Sequence, residues 1–280
     1  MPPVPTATAA RASAASTAAP PPSSYTPSRS VRLPAESVYA GDVTLGAAGA
    51  RARWVQEWLS LSGVGVVVDG EFGPATAAAV RAFQRRAKLP STGVVDQTTF
   101  GRLVAPMAAA LAAPAFPSGT DLGAAIVAVA RQHLVQGPRE VGGQNCGPWV
   151  RLYMDGNQGA AWPWCAGFAT FVVEQASAAL GRSTPIDRTY SCDVLAERAR
   201  SAGRLVADHP ADPPRAIPPG SLFLVRRTRN DWEHVGIVTA VEGDVLRTIE
   251  GNTNDDGDRE GYEVCARVRA FDRKDFVVIA

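Results

Sequence analysis

Lysine is nearly missing from this 280-residue chain. Of its 28 basic residues only Lys88 and Lys274 are lysines, and the rest are arginines. That bias, with an excess of alanine, reads as the mark of a GC-rich genome and carries no chemistry. Neither sign of charge dominates: 28 basic against 27 acidic residues leave a net charge of +1. With no long basic run, nucleic acid is not expected as a partner. No apolar run reaches the roughly 20 residues of a membrane-crossing helix. The longest candidate, Leu103 to Phe116, is broken by Pro106 and Pro114, so no membrane insertion is expected. Cysteine is scarce as well. Cys146, Cys165, Cys192 and Cys265 are too few for a disulfide scaffold, and they allow at most one disulfide if Cys165 stays free. No C-x-x-C or H-x-x-H spacing occurs, and His133, His209 and His234 share no helical register. Neither a metal site nor a cofactor is expected.

What is present is 46% apolar and 20% charged, enough to build a core in one or two domains. Apart from Met1, Val4, Arg11, Tyr25 and Arg29, the first 30 residues are all Ala, Pro, Ser or Thr. Such a segment buries too little to offset its ordering entropy, and residues 1–40 are expected to be a disordered leader. Without a charged start and an unbroken apolar stretch it makes a poor secretory signal.

Residues 41–105 read as a first module of three short helices. Ala52, Val55, Trp58 and Leu59 recur at helical spacing within 48–61. Pro74 opens a second helix through Lys88, with Ala75, Ala79, Val80 and Phe83 inward. Asp96 caps a third, carrying Gln97, Phe100 and Leu103. The run Val68-Asp69-Gly70-Glu71-Phe72-Gly73-Pro74-Ala75-Thr76, followed by Ala79-Val80, Phe83-Gln84, Leu89-Pro90, Gly93, Asp96 and Thr98, resembles the three-helix peptidoglycan-binding domain. The resemblance implies a partner, peptidoglycan, and a role in anchoring a hydrolase on the wall. Read residue by residue, Asp69, Gly70 and Gly73 shape a turn while Phe72 and Phe83 fill the core. Residues 106–120, with three prolines and few polar anchors, are expected to be a semi-stiff linker that lets two modules move.

In residues 121–280 helices come first and strands second, which predicts an α+β domain. Asp121 caps a helix to about Leu134, ended by Gly137-Pro138. Residues 140–160 read as irregular. In the apolar run 161–173, Pro163 suits the first turn of a helix, and Cys165 then sits where free backbone N–H groups favour a thiolate. A further helix is expected over 191–202, then a proline-rich loop from His209 to Pro219. Strands follow at 221–227, 234–241, 244–251, 261–269 and 276–280.

Around Gly243 two hairpins compete. A three-residue loop, Val241-Glu242-Gly243, places His234 opposite Glu250, with Asn252 as a diagonal neighbour on the same face. A two-residue turn, Glu242-Gly243, would put His234 and Glu250 on opposite faces. Turn chemistry leaves both open, and the first is adopted because it alone assembles a site. A nucleophilic cysteine needs a base, and the base needs a third group to fix its tautomer. Cys165, His234, and Glu250 or Asn252 supply these in the chain order of papain-like hydrolases.

Around those residues, two stretches resemble the two halves of the CHAP family of cysteine- and histidine-dependent amidohydrolases and peptidases. The front half is Glu140, Asn145, Gly147-Pro148, Val150, Tyr153, Pro163-Trp164-Cys165-Ala166 and Phe168. The back half is Pro218-Pro219-Gly220-Ser221-Leu222-Phe223, His234-Val235-Gly236-Ile237-Val238 and Ile249-Glu250-Gly251-Asn252-Thr253-Asn254. The resemblance implies Cys165 as nucleophile, His234 as base, and Glu250 and Asn252 as the orienting pair. The aspartate-rich calcium segment of some relatives is missing ahead of the cysteine.

Each of these residues also has a plainer reading. Cys165 can be core packing, His234 a strand start, and Glu250 and Asn252 turn formers. Trp162 and Trp164 can stack on sugar, although at least one should pack in the core. The Asn252, Asn254, Asp256, Gly257, Glu263 series imitates a calcium loop but lacks flanking helices, and is read as a solvated turn. Cys146, Cys192 and Cys265 read as structural, and His133 and His209 as bystanders.

The sequence thus predicts a small three-helix bundle joined to a papain-like α+β domain with an antiparallel sheet. The expected protein is a monomeric peptidoglycan hydrolase cutting an amide, as an N-acetylmuramoyl-L-alanine amidase or an endopeptidase. Two alternatives are a non-catalytic wall-binding protein and a cysteine amidohydrolase acting on a non-wall amide. Since no export signal is evident, the expected route to the wall is a holin, a secretion machine or lysis.

Overall fold

The computed structural model of the chain describes residues 33–207, 217–254 and 261–279. Three helices form the first module: α1 (Ala50–Leu61), α2 (Pro74–Arg86) and α3 (Gln97–Leu111). Pro74 occupies the first turn of α2, and the Asp96 carboxylate accepts the Thr99 N–H at 2.7 Å to cap α3. Two buried glutamines pin the connecting turns. Gln56 Oε1 accepts the Gly70 N–H at 2.8 Å while its amide donates to Asp69 at 2.7 Å. Gln84 Oε1 accepts the Gly93 N–H at 2.9 Å in the same manner. Phe72 and Phe83 are buried, so the motif residues here are turn and core.

The second module starts with α4 (Leu122–Leu134), α5 (Pro148–Tyr153), α6 (Cys165–Ala179) and α7 (Cys192–Ser201). It continues into strands β1 (Leu205–Val206), β2 (Leu222–Thr228), β3 (Asp231–Glu242), β4 (Val245–Thr253), β5 (Glu263–Ala270) and β6 (Lys274–Val277). All pair antiparallel in the order β1-β6-β2-β3-β4-β5. The α+β expectation holds. Asp121 caps α4 by accepting the Ala124 N–H at 2.8 Å, and Ser191 caps α7. Helix α6 lies across β3 and β4. Apolar on every side, it is buried along most of its length, as such a helix must be.

Several expectations need correction. Helix α5 sits in the stretch read as irregular, because Pro148 starts a turn whose Trp149, Val150, Leu152 and Tyr153 all find the core. The leader ends before residue 40: a 3-10 turn at Ala35–Ser37 buries Glu36, whose carbonyl accepts the Trp58 indole N–H at 3.0 Å. Residues 1–32 of that leader lie outside the described residues. The extended linker begins after residue 111 and not at 106, since α3 runs on through Pro106 to Leu111.

Nor are the modules held by the linker alone. Arg151 of α5 bonds Glu36 at 2.6 Å and grips both oxygens of Glu57 in α1, at 3.2 and 2.6 Å. Trp58 meets Trp149 edge-on at 6.5 Å, and one apolar core runs through both modules. Gln132 reaches the carbonyls of Ala109 and Ala112 at 2.8 Å, at the end of α3. Gln175 donates to Ala110 O at 2.8 Å, so its own oxygen must accept from His133 Nε2. That fixes the tautomer of His133, whose Nδ1 accepts a hydrogen bond from the Tyr153 hydroxyl at 2.8 Å. Expected mobility between modules gives way to a shared, hydrogen-bonded core.

The β3–β4 hairpin follows neither competing register. Glu242 pairs with Val245, leaving Gly243 and Asp244 as the turn, with Gly243 at φ 60° where only glycine sits without strain. That register alone would separate His234 and Glu250. Between Val238 and Ala240, however, Thr239 is an extra residue in β3, and the pairing resumes as Val238 with Thr248 and Ile237 with Ile249. The bulge restores the face but sets Glu250 diagonal to His234, where direct opposition was expected.

Candidate active site

Cys165 is the first residue of α6, after Trp164, whose side chain makes no cap. The first-turn N–H groups are thus left facing whatever the thiol faces. Trp164 is held from behind: it is fully buried, stacks on Tyr153 at 5.6 Å and donates its indole N–H to Glu140 at 2.9 Å. Trp164 is therefore the core tryptophan of the pair, while half-buried Trp162 stands edge-on to Tyr190 at 6.2 Å.

Across from the helix, β3 presents His234 to the thiol. Its Nε2 lies 2.8 Å from Glu250 Oε2, which leaves Nδ1 for Cys165. Glu250, fully buried, is bracketed from three sides. Arg269 on β5 donates through Nε and a terminal nitrogen at 2.9 and 2.7 Å, and the Thr248 hydroxyl donates at 2.5 Å. Gly236 makes room for it, because a Cβ there would lie 2.6 Å from Glu250 Cγ and 2.6 Å from the Phe223 ring. The fourth sequence candidate, Asn252, is buried two residues beyond Glu250 with φ 55°. The β4–β5 register slips between Glu250 and Thr253, so the simple alternation that made Asn252 a diagonal neighbour does not run that far.

The electrostatics couple these groups. A hydrogen bond with Cys192, then those with His234 and the Val235 N–H, hold the Cys165 thiol well below the ordinary cysteine value against burial. Burial pushes His234 down, but its bonds to Cys165 and Glu250 outweigh that and raise it to about 9. Burial likewise pushes Glu250 up, yet His234 and Arg269 bring it down to about 2. The favoured state at neutral pH is a thiolate beside an imidazolium, backed by a carboxylate.

Sequence reasoning missed Arg269 and Thr248, had Gly236 only within the family resemblance, and read Cys192 as structural. Thr248 shares the Glu250 face by alternation and could have been found. Arg269 needs the β4–β5 register, which no local signal reports. Cys192 Sγ lies 3.9 Å from Cys165 Sγ, in contact with the nucleophile candidate and not apart from it. His133 is a buried structural group. His209, and Asp256 and Gly257 of the calcium-like series, lie outside the described residues. Among those that are described, no cluster of three or more His, Cys, Asp or Glu could hold a metal ion.

Residues 48–103 match the model of the peptidoglycan binding domain, and residues 142–252 match that of the CHAP domain. The chain carries a peptidoglycan-binding domain followed by a CHAP domain. The CHAP match takes in Cys165, His234, Glu250 and Asn252, and stops short of Arg269. Two solved structures are similar in part. The crystal structure of the SleB N-terminal domain is 34% identical over 23% of this chain and 89% of its own, with a TM-score of 0.22. The endolysin of Burkholderia AP3 phage is 24% identical over 33% of this chain, with a TM-score of 0.22. The chain spans only 36% of that endolysin's length. No curated protein matches. A wall-binding domain joined to a CHAP domain supports a peptidoglycan hydrolase, with peptidoglycan as partner. No helix among the described residues is long and apolar enough to cross a membrane.

Proposed function

We propose that the chain hydrolyses an amide in the peptide part of peptidoglycan through Cys165, His234 and Glu250, as an N-acetylmuramoyl-L-alanine amidase or an endopeptidase. The observation that carries this reading is the line of contacts from the α6 N-terminus: Cys165 to His234, and His234 Nε2 to Glu250 at 2.8 Å. The Cys165 thiolate attacks the amide carbonyl, and the developing oxyanion is met by the Cys165 backbone N–H at the uncapped helix start. The His234 imidazolium gives its proton to the departing amine. Now neutral, it takes a proton from water, which releases the acyl group and restores the thiolate. Glu250 stays ionised throughout, fixes the imidazole ring and stabilises its charge. Asn252 remains a supporting candidate at the strand end, with the imidazole hydrogen bond assigned to Glu250. All three principal groups come from one chain, in keeping with a monomer acting at the wall once released there.

The test is incubation of the protein and of Cys165→Ala with purified peptidoglycan, followed by mass spectrometry of soluble products. Products from the intact protein alone are expected, and a new amino terminus on L-alanine or within the stem names the bond. No products from either protein, with sedimentation on the wall retained, would leave a binding protein.

A further inference from the structure

Two thiols, not one, occupy the candidate active site. Cys192 opens α7 as Cys165 opens α6, and the two sulfurs stand 3.9 Å apart. Cys165 sits in the first turn of its helix, where the positive end of the dipole favours a thiolate, and the Cys192 thiol hydrogen-bonds to it. The two helices come from separate segments and meet at β3. Their cysteines are the most nearly buried of the four, Cys165 at 4% and Cys192 at 8% exposed. Cys146 and Cys265 are different: burial pushes both thiols up, which makes them poor competitors for an oxidant.

We propose that Cys165 and Cys192 form an oxidisable pair, in which a hydroperoxide converts Cys165 to a sulfenic acid and Cys192 closes it to a disulfide. In the first step the Cys165 thiolate attacks the hydroperoxide. A sulfur–oxygen bond forms, the oxygen–oxygen bond breaks, and the leaving oxygen departs as an alcohol or, from hydrogen peroxide, as water. Cys192 then attacks the sulfenic sulfur, forming the sulfur–sulfur bond and expelling hydroxide, which takes up the Cys192 proton as water. The sum is two thiols and one hydroperoxide giving a disulfide, an alcohol or water, and water. Bringing the sulfurs to the roughly 2.05 Å of a disulfide needs side-chain rotation on the order of a bond length. The linked form has no free nucleophile, and a dithiol restores it by exchange. The pair also shields Cys165 from the irreversible sulfinic acid. Only the effect on turnover rests on the proposed hydrolase; the link itself does not.

The experiment treats the full chain with hydrogen peroxide, then alkylates free thiols and maps the peptides by mass spectrometry. Expected are a loss of two hydrogen masses, a Cys165–Cys192 linked peptide, and hydrolysis reduced by more than roughly tenfold until dithiothreitol restores it. Cys192→Ser and Cys192→Ala are each compared with their own untreated rate. Both should lose activity to peroxide without recovery, with Cys165 found as sulfinic acid. Oxidised Cys165 beside an alkylatable Cys192 in the intact protein would overturn the proposal, as would full dithiothreitol rescue of both variants. A linked peptide in a protein that never hydrolyses peptidoglycan would uphold the pair and overturn the hydrolase.

Discussion

Glu250 reaches His234 Nε2 at 2.8 Å across two strands whose connecting turn has the wrong parity for that contact. One bulged residue, Thr239, shifts β3 so that both side chains share a face, and Gly236 leaves Glu250 the space to lean diagonally onto the imidazole. Arg269 and Thr248 fix its other lone pairs, so the carboxylate has one orientation. Together these contacts turn a strand-borne glutamate into the third member of the proposed catalytic set.

Replacing Glu250 by Gln keeps the shape but offers His234 Nε2 an amide that can donate where the carboxylate only accepts. The favoured tautomer is lost, and hydrolysis should fall roughly a hundred- to ten-thousand-fold. Release of soluble peptidoglycan fragments measures this. A fall of less than tenfold would mean that another group orients the imidazole.

The pH profile follows from the charged pair. With His234 raised to about 9, kcat/KM should hold through neutral pH and decline as the imidazolium deprotonates near 9. Arg269→Gln removes a positive charge from beyond Glu250, so the alkaline limb should move to higher pH while kcat falls. An unchanged limb would show that Arg269 serves stability alone.

Arg151→Met leaves the carboxylates of Glu36 and Glu57, both nearly buried, without their cation. Breaking one side of such a buried pair costs about 3–5 kcal/mol. Urea unfolding should show that loss, and the unaltered protein should unfold in one transition because the modules share a core. Arg151→Met combined with Glu57→Gln should recover part of it.

Acid should destabilise the fold in two stages. Burial lowers His133 to about 4, so it is neutral when folded. Its contribution is complete above the ordinary value of 6.5 and is lost as pH falls through 4. Glu250 adds a second stage, lost as pH falls from 4.5 through about 2. The unfolding free energy of His133→Gln should therefore be lower at neutral pH and nearly flat between pH 6.5 and 4.5. A slope equal to that of the parent would place the first stage elsewhere.

Much of the architecture was legible because its signals are local. Asp96, Asp121 and Ser191 announce helix starts through their own side chains, Pro74 through its fixed φ, and the late strands through alternation. Helix α5 was not legible: its four apolar residues become helical because they find a core built by other segments, with Tyr153 stacked on Trp149 within the helix and on Trp164 from outside it. The long helix α3 hid behind Pro106, which α3 tolerates while Gln132 and Gln175 bond carbonyls of its last turn from α4 and α6.

For the site, the sequence by itself determined the candidates: a cysteine opening a helix, a histidine on a strand, and a glutamate on the next strand. Residue type and periodicity are properties of a short stretch, and they survive without the rest of the chain. Only the tertiary structure decided which atoms meet. The Thr239 bulge, the Arg269 clamp and the 3.9 Å approach of Cys192 all depend on strand register and helix docking. Those are set by packing among residues far apart in sequence, where no local pattern reaches.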